Sequence, residues 1–251
     1  MTGPYPSAVA PRLKVVVLGG SIAEGLGVAG VAYSDLLRDM GHDVANLAHT
    51  ANQVSDSIRL LPSVLSIDPN VVVIAHGISE AIVRPGERAM RFVPRRWRTK
   101  GWLDPRPYFS RRPVHQIYQR IESALRWRYK SFLIRVIDRQ VWTSELLYAE
   151  QLRDFIDVLL AASHTRVVLL TYPGIDEQYF PNSTESLERY RLRTHAVATE
   201  YVAGGRVSVC DLSGCLTLPD DFFADGFHPN HQGHRKIAET IGLFLHDAAA
   251  V

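Results

Sequence analysis

Cysteine is nearly missing from this chain: Cys210 and Cys215 are the only two in 251 residues. That excludes the disulfide framework of a small secreted domain, and the pair reads as two reduced, small apolar side chains. No run of 18 or more uncharged apolar residues occurs, so no membrane-spanning helix is expected. No basic stretch, apolar core and small-residue cleavage site precede the first strand candidate at Leu13; the expectation is a soluble cytoplasmic protein without a leader. A GxxxxGK[ST] phosphate loop is missing too. Gly25, Gly27 and Gly30 do spell GxGxxG, but the pattern starts seven residues past Leu18. A dinucleotide fingerprint must open at the strand end, where the pyrophosphate meets the helix N-terminus. No cofactor is therefore expected. Internal repeats and low-complexity tracts are absent.

What the chain does contain is 46% apolar residues, enough for one substantial core in a single domain spanning residues 1–251. The net charge of +2 hides a sharp division. From Arg84 to Arg139 there are 16 Lys/Arg against 4 Asp/Glu, which leaves 12 against 22 elsewhere. A basic segment is thus carried on an acidic body. The same region, about 77–142, holds Pro85, Pro94, Pro105, Pro107 and Pro113, together with Trp97, Trp102, Trp127 and Trp142, every tryptophan in the chain. It reads as an insertion after the third strand, a lid or cap with one basic helix around Val114 to Val136.

Outside that region β-branched runs alternate with amphipathic stretches, the pattern of a parallel sheet covered on both faces. The strand candidates are Leu13 to Leu18, Val44 to Leu47, Val71 to Ala75, Arg166 to Thr171 and Arg206 to Val209. Between them the 3.6-residue period predicts helices at Val31 to Met40, Val54 to Leu65 with a break at Pro62, Ser144 to Ala162, Thr184 to Ala203 and His231 to Leu245.

Two loops carry chemistry. The first strand runs into Gly19, Gly20 and Ser21, a sharp exit that exposes a hydroxyl. Ahead of the last helix stands ADGFHPNHQGH, Ala224 to His234. On a tight turn Asp225 can reach the Nδ1–H of His228, fixing the tautomer and leaving Nε2 free to take a proton from a serine; Asn230 is placed to cap the helix. His228, His231 and His234, with Asp225, also have the spacing of a metal set. Against that reading, His228 precedes Pro229 while the other two fall in the helix. His49 is a further candidate for lining the site.

With Ser21, Asp225 and His228 in place, the chain resembles the SGNH (GDSL-type) hydrolases. Their first block, Gly-Asp-Ser-x-x-x-Gly, reads GGSIAEG here, and their last, Asp-x-x-His, reads DGFHPN. NLAHTANQVSD follows the second strand and IAHGISE the third. The resemblance implies a three-layer α/β/α sandwich with a five-stranded parallel, flavodoxin-like sheet. It also implies a serine ester hydrolase or acyltransferase working through an acyl-enzyme, with Ser21 as nucleophile, His228 as base and Asp225 as its orienter. Three positions depart from the pattern. Gly20 replaces the Asp beside the nucleophile; Ala51, or Ala48 in a slipped register, replaces the oxyanion-hole Gly; Ser79 replaces the Asn donor, and its hydroxyl has a shorter reach. Losing one oxyanion donor costs ~10²–10³ in rate, so Asn52 and His76 are alternative donors. The oxyanion set implied is the N–H groups of Ser21 and Ala51 with Ser79.

Basic, aromatic surroundings point to an anionic small-molecule or carrier-bound acyl substrate, with Arg95, Arg96 and Arg98 as candidate binding residues. Nucleic acid is not expected, since no helix-turn-helix, zinc or RNA-binding signature accompanies the charge. The rival reading is a non-catalytic module that keeps the fold and holds an anionic partner. The choice between hydrolysis and acyl transfer, and the oligomeric state, stay open at this level.

Overall fold

Runs of valine and leucine build the centre of the molecule. Val15, Val16 and Val17 in β1 (Lys14–Gly19) and Val71, Val72 and Val73 in β3 (Val71–Ala75) have no solvent exposure at all, because both sheet faces are covered. The computed structural model describes residues 12–172 and 174–249. The expectation of no leader before Leu13 concerns residues that lie outside those described. β2 (Asp43–Asn46) pairs with β1. The next two strands in the chain, β4 (Arg84–Pro85) and β5 (Arg139–Gln140), form a separate antiparallel pair. β6 (Arg166–Thr171) and β7 (Val207–Asp211) complete a parallel sheet in the order β2-β1-β3-β6-β7. Val15 stands between Val44 and Val71, and Val71 beside Arg166. All five expected strands are present, each within one or two residues of its expected ends.

The helices are α1 (Ser21–Glu24), α2 (Tyr33–Asp39), α3 (Val54–Ile58), α4 (Leu61–Ile67), α5 (Ile78–Ala81), α6 (Glu87–Met90), α7 (Pro113–Val136), α8 (Glu145–Ala162), α9 (Thr184–Thr199) and α10 (His231–Ala249). Pro62 sits in the first turn of α4 and so divides the expected long helix in two. The expected extension of α9 to Ala203 ends instead at Thr199, followed by a 3₁₀ turn at Val202–Gly204. α2 packs on α10, while α8 packs on α3, α4 and α9. Right-handed crossovers put these two groups on opposite faces of the sheet. The chain leaves β1 toward β2 and then returns past β1 to β3. The sheet therefore has its topological switch between the carboxyl ends of β1 and β3, where open α/β sheets place ligands.

Between β3 and α8 the chain builds α5, β4, α6, a 3₁₀ turn at Arg95–Trp97, α7 and β5. Ala89, Val93, Leu103 and Leu133 form a small second core there, flanked by Met90, Trp97 and Tyr129.

Candidate active site

Gly19 ends β1 where no side chain fits: a Cβ there would lie 2.7 Å from the Ala75 carbonyl oxygen of β3. The backbone then turns straight into α1, and Ser21 is its first residue, 8% exposed. This single-turn helix has no sequence period to announce it. At the far end of the chain Asp225 to His228 form a tight turn. Gly226 has φ +61 and touches Asp176 where a Cβ would stand, so only glycine fits the bend. Asp225 Oδ1 accepts the backbone N–H groups of Phe227 at 3.1 Å and His228 at 3.0 Å. Its Oδ2 lies 2.7 Å from His228 Nδ1, and His228 Nε2 lies 2.8 Å from Ser21 Oγ. Two residues 207 positions apart thus share one hydrogen bond. With Nδ1 protonated and donating to the carboxylate, Nε2 is the acceptor for the serine hydroxyl. Asn230 caps α10, its Oδ1 accepting from Gln232 and Gly233 N–H.

Ala51 resolves the choice of register in the second block. It has φ +65, the left-handed conformation that glycine adopts without cost, and it lines the cavity beside Ser21, which Ala48 does not. Among the described residues neither the Ser21 nor the Ala51 backbone N–H has a protein acceptor. Ser79, on α5, lines the same cavity, with its Oγ 2.8 Å from the position a Cβ on Gly20 would take. Gly20, where the resemblance would place an aspartate, therefore leaves room for the Ser79 hydroxyl. His76 turns elsewhere: its Nε2 meets Ser57 Oγ at 2.8 Å in full burial. Asn52 is not among the cavity's lining residues, and His49 is exposed beside Glu24. The three histidines near α10 have separate surroundings. His228 faces Ser21, His231 stands edge-on to Phe223, and His234 Nδ1 accepts the Tyr33 N–H.

Glu80 is a residue the sequence reading missed. Wholly buried, its carboxylate accepts Val54 N–H and Gly77 N–H, both at 2.9 Å. It ties the loop after Ala51 to the turn that carries Ser79. Nothing in its local sequence distinguishes it from a surface glutamate.

The cavity over Ser21 has a volume of about 330 Å³. Its far wall comes from Lys100 to Tyr108 and from Trp142, with Arg84 between them. The Arg84 guanidinium lies 3.5 Å from the Trp142 ring centre, bonds Asp104, and donates to the Ser79 carbonyl at 2.8 Å. Lys130 Nζ holds the other Asp104 oxygen at 2.8 Å. Burial alone would raise the Asp104 carboxyl, but Lys130 and Arg84 outweigh it and hold it below the usual range. Arg106 stacks over Trp102 at 4.4 Å, and Lys100 stands 4.6 Å from the Trp142 ring. The basic residues lining the cavity are thus Lys100, Arg106 and Arg84, the last paired with Asp104. Arg95 and Arg96 do not line this cavity, and Arg98 lines the neighbouring one while donating to the Val93 and Arg91 carbonyls. No periodicity separates these arginines in the sequence, so charge counting could not choose among them.

Residues 17–236 match the model of the GDSL-like lipase/acylhydrolase family. No curated protein matches the sequence significantly. Among solved structures, an alpha/beta hydrolase from the metagenome of Lake Arreo, Spain, is similar at 17% identity and TM-score 0.59, covering 96% of this chain and 97% of its own. A GDSL-like lipase from Bacteroides thetaiotaomicron shares 12% identity at TM-score 0.59, over 94% of this chain and 88% of that one. An acetylxylan esterase from Geobacillus stearothermophilus shares 14% at TM-score 0.57, over 94% and 95%.

Proposed function

The chain belongs to the GDSL-like lipase/acylhydrolase family of hydrolytic enzymes, and from that premise we propose that it is a serine esterase or acyltransferase working through an acyl-enzyme. The observation that carries the reading is the unbroken contact from Ser21 through His228 to Asp225 at the cavity floor. Ser21 Oγ attacks the acyl carbonyl carbon while its proton passes to His228 Nε2. The imidazolium is held by the Asp225 carboxylate. The carbonyl oxygen, now negative, is met by the N–H groups of Ser21 and Ala51 and by the Ser79 hydroxyl. Collapse of the tetrahedral adduct breaks the acyl–oxygen bond, and the leaving alcohol takes the proton from His228. Water, or an acceptor alcohol, then gives its proton to His228 as it attacks the acyl carbon; the bond from Ser21 Oγ to the acyl carbon breaks, and His228 returns the proton to Oγ. No step requires a cofactor.

The substrate is an acyl ester with an anionic or strongly polar group. Lys100 and Arg106 receive that group, and Trp102 and Trp142 offer flat faces beside them. Residues 77–142 act as the cap that supplies this wall. The test is intact-protein mass spectrometry after a fluorophosphonate probe, together with turnover of a short-chain aryl ester. Wild type is expected to take one label at Ser21. Ser21→Ala is expected to lose the label and at least about 10³-fold of turnover, with the fold unchanged by circular dichroism. Undiminished turnover in Ser21→Ala overturns the assignment.

A further inference from the structure

In α7 the usual distribution of side chains is inverted. Its buried side includes Ser123, Arg126, Lys130 and Ser131, with apolar and aromatic contact from Trp127, Tyr129, Leu133 and Ile134 in its C-terminal half. Its solvent side carries Val114, Ile117, Ile121, Leu125, Phe132 and Val136, each 52–80% exposed. At 100° per residue these six fall within an arc of roughly 100°, opposite the buried side, and Tyr118 lies in the same arc. Arg120, Arg128 and Arg135 border or interrupt the stripe, Arg111 and Arg112 precede the helix, and all five are exposed. Glu122 is the sole acidic residue of α7.

An apolar stripe of this length facing water, broken only by Arg128, marks a surface that something covers. We propose that α7 docks on an anionic lipid bilayer, with the stripe seated in the acyl–headgroup boundary and the arginines against the lipid phosphates. Charge selects this occupant. A second copy of α7 would bring arginines against arginines, whereas an anionic leaflet complements them. No described helix is long and apolar enough to cross a membrane, so the chain lies on the surface by this helix. The buried side explains how docking reaches the site. Arg126 donates to the Trp102 carbonyl at 2.9 Å and Lys130 to Asp104 at 2.8 Å, and both partners line the cavity over Ser21. A bilayer on the outer face stands about one helix diameter, ~10 Å, from that loop. Resting on the esterase reading above, the inference narrows its substrates to acyl esters presented at a membrane surface.

Vesicle flotation of the full chain tests this, using phosphatidylcholine alone and phosphatidylcholine mixed with phosphatidylglycerol, at low and high salt. The expected result is at least about tenfold more binding to the mixed vesicles, weakened by salt. Ile121→Gln with Leu125→Gln is expected to lose about tenfold of that binding while keeping soluble aryl-ester turnover. Arg120→Gln with Arg128→Gln and Arg135→Gln is expected to remove the salt-dependent part. Ser21→Ala should float like wild type, so a failed esterase assignment and a failed docking assignment give different results. The proposal is overturned if neither vesicle binds or if the stripe variants bind as wild type. It is equally overturned if sedimentation shows wild type self-associating through the stripe, or if the stripe accepts an acidic protein while vesicles stay unbound.

Discussion

Gly20 and Ser79 act as a pair at the residue scale. The absent side chain at 20 leaves the space that the Ser79 hydroxyl occupies, so the two departures from the family pattern are spatially coupled. In the proposed mechanism Ser79 then serves as the third oxyanion donor. Ser79→Ala is expected to lower kcat about tenfold to a hundredfold with KM nearly unchanged, since the oxyanion exists only after attack. Steady-state kinetics on a soluble aryl ester checks this; an unchanged kcat removes Ser79 from the oxyanion set. Ala51 carries a cost beside it. A left-handed alanine is strained by about 1 kcal/mol, a cost the chain accepts at a residue that lines the cavity beside Ser21.

Among elements, α7 is fastened by a buried charge network as well as by apolar contact. Asp104 sits between Lys130, fully buried, and Arg84, whose guanidinium also grips the Ser79 carbonyl. One carboxylate therefore joins α7, the loop over the cavity and the turn of α5. Removing the charge leaves two buried cations without their counter-ion, and breaking a buried pair costs about 3–5 kcal/mol. Asp104→Asn, close to isosteric, is expected to lower Tm by on the order of 10 °C. It should also weaken ester turnover, because the wall over Ser21 loses its anchor. Thermal unfolding followed by circular dichroism checks the first part. A Tm within a degree of wild type would mean that the network is solvated and does not hold the segment.

At the scale of the whole molecule, buried histidines set the response to acid. Burial foremost, with His228 and His231 adding to it, pushes His234 down to about 4, and burial lowers His76 against the opposing pull of Glu80. Both stay neutral in the fold at a pH where the unfolded chain has already protonated them. The unfolded state then binds more protons, so stability falls as pH drops from about 6.5 toward 4, on the order of 3 kcal/mol from His234 alone. Below that window the depressed carboxylates take over. Asp211 is held at about 2 despite burial, by Ser213 hydrogen bonds foremost and Arg191, and Asp104 lies below the usual range. Stability present above pH 4 is lost as they protonate. Urea midpoints are therefore expected to fall steadily from pH 7 to pH 4.5. Equal midpoints at pH 7 and pH 5 would show that neither histidine is held neutral.

Local patterns in the chain were enough for the sheet and for the pairing of Asp225 with His228. Runs such as Val15–Leu18 and Val71–Ala75 can bury every side chain only as central strands, and Asp225 and His228 sit close enough in sequence for one turn to join them. These are short-range properties, governed by periodicity and by the reach of a few bonds. Contacts across the chain decided the rest. Ser21 meets His228 only because the sheet brings β1 and the turn before α10 to the same edge. Ala51 rather than Ala48 lines the cavity because of a backbone angle that no residue type reveals, and Glu80 became a bridge only once Val54 and Gly77 converged on it. Of sixteen basic residues in one segment, folding placed Arg84, Lys100 and Arg106 in the lining of the cavity that holds Ser21 and left Arg95 and Arg96 outside it. Loop side chains have no period, so their direction is fixed by whatever distant part of the chain packs against them.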